Sequence, residues 1–310
     1  MSIYFFEPIP RYTIWGGKAC NAYFHCEDRF QDGVGQIWAF SGQDGAGLST
    51  VCTTAPYEGR TLKDLWEQEP ALFGFKKNEG PFPLIISLVA PEDDLSLQVH
   101  PDDVQAAKAG YPMGKNEAWY FIRCRDGASI VYDHNMESPD QLKQYIDDER
   151  WDEIPKHRPV KDGDFVYIPA GMLHAMGKGV VVYEIQQSTD VTYRFYDYHR
   201  KDKNGNERPL QLKEAIECLH YEPAPVLAPP VEDDPCTTLI RCPSFTVMKI
   251  DVDDHVSFKT GPYRLVTVTE GRGTANRTPV QEGSSFLLPA GETAFLDGQM
   301  TLMTTTTEKL

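Results

Sequence analysis

Four polar residues on three separate segments of the sequence are of types that bind divalent metals. Gln98 and His100 stand two apart in the alternating segment that begins at Leu95, and residues two apart on a strand point to the same face. Glu117 opens a second β-prone segment, and His174 follows a Pro-Ala-Gly turn. An amide oxygen, a carboxylate and two imidazoles suit a zinc ion that keeps one position open for water or substrate. The residue types predict a metal site, although a single histidine on a strand is more often an ordinary hydrogen-bonded side chain.

The composition restricts the class of partner. The chain has 310 residues, with 46 acidic and 30 basic side chains and a net charge of −16, which argues against nucleic acid or an anionic membrane. A small anionic substrate remains compatible, because screening over about 8 Å lets a few local cations dominate a pocket. The seven cysteines are scattered and form no C-x-x-C pair. The sequence shows no signal peptide and no apolar segment near the ~18 residues of a membrane span. These features predict a cytoplasmic protein with reduced thiols.

Short apolar segments separated by glycine, proline and aspartate predict a mainly β fold with few helices. Candidate strands are residues 12–15, 36–41 and 82–89. Helices are expected after Thr61, where Asp64 could complete a capping box, after Pro101, at Ser138 and over residues 210–219.

The domain organisation follows from a proline-rich segment. Residues 221–235 contain five prolines in fifteen positions, a composition that favours a stiff, extended linker. We therefore predict a catalytic domain over residues 1–220 and a second module over residues 236–310. The second module is expected to consist of short strands, with turns at Glu270-Gly271 and Glu282-Gly283.

The two halves of the chain share a pattern. Residues 160–171 and 280–291 match without a gap at valine, glycine and the Pro-Ala-Gly turn, at an offset of 120 residues, which indicates a duplicated β-module. His174 aligns with Ala294, and Glu117 aligns with Gly261. Because these potential ligands occur in one copy only, a functional role explains them better than a role in the shared framework.

The spacing Gly-x-Asp-x-x-x-x-Pro-Ala-Gly-x-x-His resembles the second half of a cupin signature, and the chain as a whole resembles the short bacterial type I mannose-6-phosphate isomerases. The motifs that carry the likeness are Pro10-Arg-Tyr-Thr-Ile-Trp-Gly-Gly17, Ser96-Leu-Gln-Val-His-Pro-Asp-Asp103, Gly114-Lys-Asn-Glu-Ala-Trp-Tyr120, Pro169-Ala-Gly-Met-Leu-His174 and Tyr183-Glu-Ile-Gln-Gln-Ser-Thr-Asp-Val-Thr-Tyr-Arg-Phe-Tyr-Asp197.

This resemblance implies two jelly-roll cupin modules, of which the first carries a small helical insertion and the active site. It implies one zinc ion per chain, held by residues matching Gln98, His100, Glu117 and His174. It further implies catalytic roles at Arg194, Glu184 and Lys115, and substrate contacts at Ser96, Lys115 and Trp15, with a hexose 6-phosphate as the substrate.

The expected reaction interconverts mannose 6-phosphate and fructose 6-phosphate through an enediol, and each implied residue type suits part of it. A carboxylate such as Glu184 can transfer a proton, and the planar cation of Arg194 can stabilise an oxyanion. Other interpretations remain open at this point, since Glu184 could be a structural ion-pair partner and Arg194 could pair with Asp197 or Asp190 to brace a turn.

One departure from the family pattern supports an alternative function. Members of the short form usually carry a Gly-Glu-x-Trp segment near the start, and here Gln36 replaces the glutamate. A hexose-phosphate sensor without catalysis is therefore a second hypothesis. An iron-dependent cupin oxygenase is a weaker third hypothesis, because it would need a His-x-His or three-histidine set and only His100 and His174 are available.

Overall fold

The computed structural model describes residues 3–77, 80–202 and 204–307. Within these ranges, twenty strands in three antiparallel sheets dominate the molecule, which confirms the mainly β prediction. In the first part of the chain the strands are β1 (Tyr4–Glu7), β2 (Ile9–Gly17), β3 (Val34–Ser41), β4 (Val51–Cys52), β5 (Leu84–Val89), β6 (Leu97–Val99), β7 (Glu117–Cys124), β8 (Ser129–His134), β9 (Pro155–Pro159), β10 (Phe165–Ile168), β11 (His174–Met176), β12 (Val180–Gln187) and β13 (Tyr193–Tyr196). In the second part they are β14 (Val231–Asp233), β15 (Cys236–Arg241), β16 (Thr246–Lys259), β17 (Arg264–Ala275), β18 (Thr278–Gln281), β19 (Ser285–Leu288) and β20 (Thr293–Thr306).

The helices are short and lie in the connections. They are α1 (Ala19–Tyr23), α2 (Leu62–Gln68), α3 (Asp103–Lys108), α4 (Pro139–Asp147) and α5 (Leu212–Cys218), with single 3₁₀ turns at Pro70–Phe73 and Trp151–Glu153. The predicted start of α2 is confirmed, because Thr61 and Asp64 form a complete capping box. Ser138 caps α4 as expected, and the helix expected after Pro101 is α3, which Asp102 caps.

A six-stranded sheet, in the order β10-β7-β12-β5-β3-β2, lies between two other layers. Along β7, Trp119 and Phe121 pack into one apolar core, and Ala118, Tyr120 and Ile122 pack into another on the opposite face. Side chains alternate between the faces of a strand, so the uninterrupted apolar sequence of β7 is explained by burial on both sides.

The five-stranded sheet, in the order β13-β6-β11-β8-β9, faces the β10-to-β2 sheet. Its inward side chains, such as Ile130 and Met176, share a core with Trp119 and Phe121. The predicted ligands lie on strands of these two facing sheets or next to them, so this interior is where they can meet.

The second module repeats the first at the predicted offset. Strands β10 and β19 lie 120 residues apart, beginning at residues 165 and 285. The expectation of short strands is wrong for β16, β17 and β20, which have 14, 12 and 14 residues.

The segment Glu270-Gly271 is not a turn. It is an irregularity within β17, where the register shifts between Val268 and Glu270 and Gly271 has φ of +74°. A Cβ there would lie 2.2 Å from the carbonyl oxygen of Gln299.

Strand pairing crosses the predicted domain limits at two places. Strand β14 lies inside the predicted linker and pairs with β15. Strand β1, at the start of the chain, pairs with β19 of the second module and with β4. The limits 1–220, 221–235 and 236–310 stay a prediction. The pairing of β1 with β19 joins the start of the chain to the sheet of the second module.

Candidate metal centre and active site

Strand register places three of the predicted residues side by side on one sheet. Gln98 on β6 lies directly opposite His174 on β11 and opposite Arg194 on β13. Directly opposed residues of antiparallel strands project to the same face. The three side chains therefore form a row that points into the interior between the two sheets.

His100, Glu117 and His174 converge into one buried cluster. Their candidate ligand atoms all lie within 4.8 Å of one another. His100 Nε2 lies 3.3 Å from Glu117 Oε1, and His174 Nε2 lies 3.7 Å from Glu117 Oε2. All three side chains are about 1% exposed. Within the described ranges this is the one group of histidine, cysteine and acidic side chains with such a geometry.

The hydrogen bonds of the two imidazoles prepare them for a metal. His100 Nδ1 lies 2.9 Å from the carbonyl oxygen of Val191, and His174 Nδ1 lies 2.9 Å from that of Met172. Because a carbonyl only accepts, each Nδ1 carries the proton and each Nε2 presents a lone pair. His100 Nε2, His174 Nε2 and Glu117 Oε2 are buried without a hydrogen-bond partner. Orphaned lone pairs of this kind fit a divalent cation.

The Pro-Ala-Gly turn connects the two histidine segments. Gly171 donates its N–H to the carbonyl oxygen of His100 at 2.8 Å and has φ of +86°. A Cβ at this position would lie 2.5 Å from the ring of His220. Only glycine meets both requirements without strain, so the motif glycine fixes the position of the turn before His174.

Charge in the cluster is balanced by one lysine. Lys115 Nζ lies 3.0 Å from Glu117 Oε1, and the lysine side chain is 7% exposed. Burial, together with the charge of Lys115, lowers the pKa of His100 to about 3. Burial lowers the pKa of His174 as well. Burial alone would raise the pKa of Glu117, but the positive charge of Lys115 outweighs it and lowers that pKa. The cluster thus holds neutral imidazoles and an ionised carboxylate, which are the forms that bind zinc.

Glu184 lies on β12 beside the cluster, on the face of the sheet that carries Trp119. The indole Nε1 of Trp119 donates to Glu184 Oε1 at 3.2 Å. Burial raises the pKa of Glu184 to about 8, with a further contribution from the negative charge of Glu117. No cation is within ion-pair distance of Glu184 among the described residues, which argues against a purely structural ion-pair role.

Arg194 is held by its own loop and keeps part of its guanidinium unpaired. Its backbone N–H donates to the side chain of Gln211 at 3.1 Å, and Nη1 donates to the carbonyl oxygen of Pro209 at 3.0 Å. Its Nε is buried without a partner. Burial lowers the pKa of Arg194, as does the nearby charge of Arg208.

The two acidic residues considered as braces for Arg194 pair with other arginines. Asp190 lies 3.8 Å from Arg11. Asp197, which is 4% exposed, accepts from Arg208 Nε at 2.7 Å and Nη2 at 2.6 Å, and from Arg200 Nη2 at 2.5 Å. The sequence motif ending in Asp197 gave no signal for these two partners, which lie further along the chain.

Replacing Asp197 by asparagine is expected to lower the free energy of unfolding at pH 7 by about 2–4 kcal/mol, because it leaves buried arginine charge without its partner. Burial would raise the pKa of Asp197, but the hydrogen bonds from Arg208 and Arg200 lower it. The carboxylate therefore stabilises the fold above its ordinary pKa, about 3.9, and this stabilisation is lost as the pH falls through the lower folded-state value.

Urea unfolding of the wild type and of Asp197→Asn, measured at pH 7 and again below about pH 4, checks this. The lower pH lies below the ordinary aspartate pKa, where the stabilisation begins to be lost. The difference between the two proteins should shrink at the lower pH. An equal difference at both pH values would show that the ion pairs of Asp197 contribute nothing.

Ser96 and Trp15 are both buried. Trp15 belongs to the core between the two facing sheets, and its ring lies so close to Gly35 that a Cβ there would be 2.3 Å away. Gln36, the next residue, lies opposite Arg11 on the neighbouring strand, and the guanidinium of Arg11 stacks over Trp38 at 4.2 Å. Substrate contacts of Ser96 and Trp15 stay a prediction.

Comparisons with known proteins decide the family. A family model described as phosphomannose isomerase type I, catalytic domain, matches residues 7–126, and one described as mannose-6-phosphate isomerase, cupin domain, matches residues 236–307. The mannose-6-phosphate isomerase ManA of Bacillus subtilis (strain 168) is 37% identical over 297 residues, which cover 93% of each chain. The chain belongs to the type I phosphomannose isomerases.

Further relatives of this isomerase agree. A mannose-6-phosphate isomerase of Streptococcus mutans is 36% identical over 285 residues, or 89% of each chain. The crystal structure of the mannose 6-phosphate isomerase from Bacillus subtilis matches with a TM-score of 0.91 and 31% identity, covering 98% of this chain and 99% of that one. The predicted cupin fold is thereby confirmed. A zinc-bound mannose 6-phosphate isomerase shares the fold at a TM-score of 0.79 and 15% identity. In the described part of this isomerase, no helix has the length and apolar character needed to cross a membrane.

Proposed function

We propose that the chain interconverts mannose 6-phosphate and fructose 6-phosphate at a zinc site between its two facing sheets. The observation that carries the proposal is the buried cluster of His100, Glu117 and His174, in which three potential ligand atoms lack any partner. Family membership supports the substrate and the reaction. Within this account, Gln98 is the fourth ligand, because strand register places it beside His174.

One zinc ion bound by these residues would supply a Lewis acid that orients and polarises the oxygens of the sugar. The protein's part is to keep the two Nε2 lone pairs and the carboxylate of Glu117 directed at one point, which the carbonyls of Val191 and Met172 achieve by fixing both rings. The neighbouring charge of Lys115 is suited to a substrate anion, since ammonium groups bind phosphate as point charges.

Glu184 is our candidate for the proton transfer between C1 and C2. It is buried and close enough to Glu117 for the two charges to interact, and its pKa is raised to about 8, near the range in which a group can both accept and donate a proton. A divalent cation next to Glu117 would offset that negative charge and lower the pKa of Glu184, which favours the basic form.

Arg194 is proposed to stabilise the oxyanion that develops in the enediol. Its buried and unpaired Nε can donate to a substrate oxygen without first breaking a bond inside the protein. A preorganised donor of this kind avoids reorganisation during the reaction. Gln98 lies opposite Arg194 on the paired strand, which supports a position of Arg194 beside the proposed metal site.

A coupled assay with mannose 6-phosphate, combined with metal analysis of the same sample, tests the proposal. We expect turnover with zinc bound at about one ion per chain, loss of turnover after treatment with a chelator, and recovery on adding zinc. Full activity of the metal-free chain would contradict the zinc-dependent mechanism. Binding of hexose phosphate without turnover in the zinc-loaded protein would instead favour the sensor suggested by Gln36.

A further inference from the structure

Asn116 lies between two residues of the proposed site, Lys115 and Glu117, and bonds through both its main chain and its side chain. Its N–H donates to Gln187 Oε1 at 2.9 Å, and its carbonyl oxygen accepts from the N–H of Gln187 at 3.1 Å. Its side-chain Nδ2 donates to Gln187 Oε1 at 2.8 Å and to Ser244 Oγ at 3.1 Å. The first of these partners ends β12, the strand that carries Glu184.

The side-chain oxygen of Asn116 contacts the segment that leads to the other ligand. Oδ1 accepts from the backbone N–H of Ala170 at 2.9 Å and from the hydroxyl of Tyr167 at 3.2 Å. Ala170 belongs to the Pro-Ala-Gly turn before His174. One amide therefore ties the start of the Glu117 strand to the turn that places His174.

The remaining partner belongs to the second module. Ser244 lies between β15 and β16, and its hydroxyl accepts one of the two amide protons of Asn116. This contact runs from the ligand-free module to a residue directly next to a proposed ligand. The second module thus contributes to the proposed site, although it lacks the candidate metal ligands.

We propose that Asn116 is a positioning residue that fixes the carboxylate of Glu117 relative to the imidazole of His174, and that the second module supports it through Ser244. The inference rests on the proposed function, because it takes Glu117 and His174 as zinc ligands. Partners that orient metal ligands through hydrogen bonds typically change metal affinity by about 10–100-fold when they are removed. Asn116 acts on two ligands at once, through the backbone of each segment.

The test measures zinc affinity of the full-length chain, by equilibrium competition between the zinc-loaded protein and a chromogenic chelator. Asn116→Ala is expected to bind zinc about 10–100-fold more weakly than the wild type. Asn116→Asp should recover only part of the loss. It keeps the acceptor for Ala170 and Tyr167, and a hydroxyl such as that of Ser244 can donate to a carboxylate, but the bond to Gln187 Oε1 is replaced by a contact between two acceptors.

Ser244→Ala isolates the contribution of the second module. The loss of one hydrogen bond predicts zinc binding that is about two- to tenfold weaker. The double variant Asn116→Ala/Ser244→Ala should be no weaker than Asn116→Ala alone, because the two residues act through the same bond. Additive losses would overturn the proposed route through Ser244.

Asn21→Ala is the matched control. Asn21 is also a bridging asparagine in the first module, whose Nδ2 donates to the carbonyl oxygens of Phe30 and Gln31 at 3.1 and 3.0 Å, and it touches none of the proposed ligands. It should lower the melting temperature and leave zinc affinity unchanged.

Wild-type zinc affinity in Asn116→Ala, or an equal loss in Asn21→Ala, would overturn the positioning role. Should Asn116→Ala fail to fold, unchanged affinity in Ser244→Ala would overturn the link to the second module. A wild type that binds no zinc would overturn the proposed function and, with it, the positioning role. A defect confined to the variants would overturn neither the zinc site nor the proposed reaction, so the two results can be distinguished.

Discussion

Replacing Glu117 by glutamine is expected to release the metal and to lower the rate of isomerisation by about 10³-fold or more. The carboxylate is the one anion inside the cluster, 3.0 Å from Lys115 Nζ and 3.3 Å from His100 Nε2. A neutral amide removes the charge that attracts the cation and leaves the buried lysine without its partner. Metal analysis and steady-state kinetics of the purified variant give both readouts.

Glu270→Gln is the control for this change. Glu270 accepts from Arg123 at 2.9 and 3.2 Å between the two modules. Arg123 lies near the end of β7, whereas Glu117 lies at its start. It should keep its zinc and its activity. A Glu117→Gln protein with bound zinc and undiminished turnover would show that Glu117 is not a ligand on which the reaction depends.

Arg194→Ala is expected to keep its zinc and to lose about 10²–10³-fold in kcat, the range found when one preorganised oxyanion donor is removed. The side chain contacts Pro209 rather than His100, Glu117 or His174, so the metal cluster should survive its removal. An effect on kcat larger than the effect on KM indicates an interaction made chiefly in the transition state.

Arg150→Ala provides the matched arginine control, because Arg150 pairs with Glu153 at the surface, at 2.7 Å, and should leave kcat unchanged. The proposed role of Arg194 would be wrong if Arg194→Ala retained full kcat. Loss of zinc in proportion to activity would also contradict it, since the arginine would then act on the metal site rather than on the substrate.

Much of the site could be predicted from the sequence, because it depends on local spacing. The two-residue step between Gln98 and His100 determines their shared face, and the Pro-Ala-Gly turn determines where His174 begins its strand. Comparison of the two modules separated framework positions from candidate ligands, since the framework recurs at the same offset while His174 is replaced by Ala294. The structure brings His100, Glu117 and His174 together as the motif comparison suggested.

The parts that escaped prediction depend on contacts between distant segments. Nothing local to Asp197 indicates that Arg200 and Arg208 surround it, because their loop returns to it only in the folded chain. The bond from Asn116 to Ser244 spans 128 residues, and the pairing of β1 with β19 joins the two ends of the chain. Gly271 signals a turn in the sequence, yet the pairing of β17 with β20 continues past it because a glycine also suits a strand irregularity.

Anomalous diffraction at the zinc absorption edge, from crystals of the zinc-loaded chain, tests the central claim most directly. We predict a single strong peak per chain at about 2 Å from His100 Nε2, His174 Nε2 and a carboxylate oxygen of Glu117, with the amide oxygen of Gln98 as the fourth protein ligand. A peak elsewhere in the molecule, or no peak among these side chains in a crystal of active enzyme, would contradict the account.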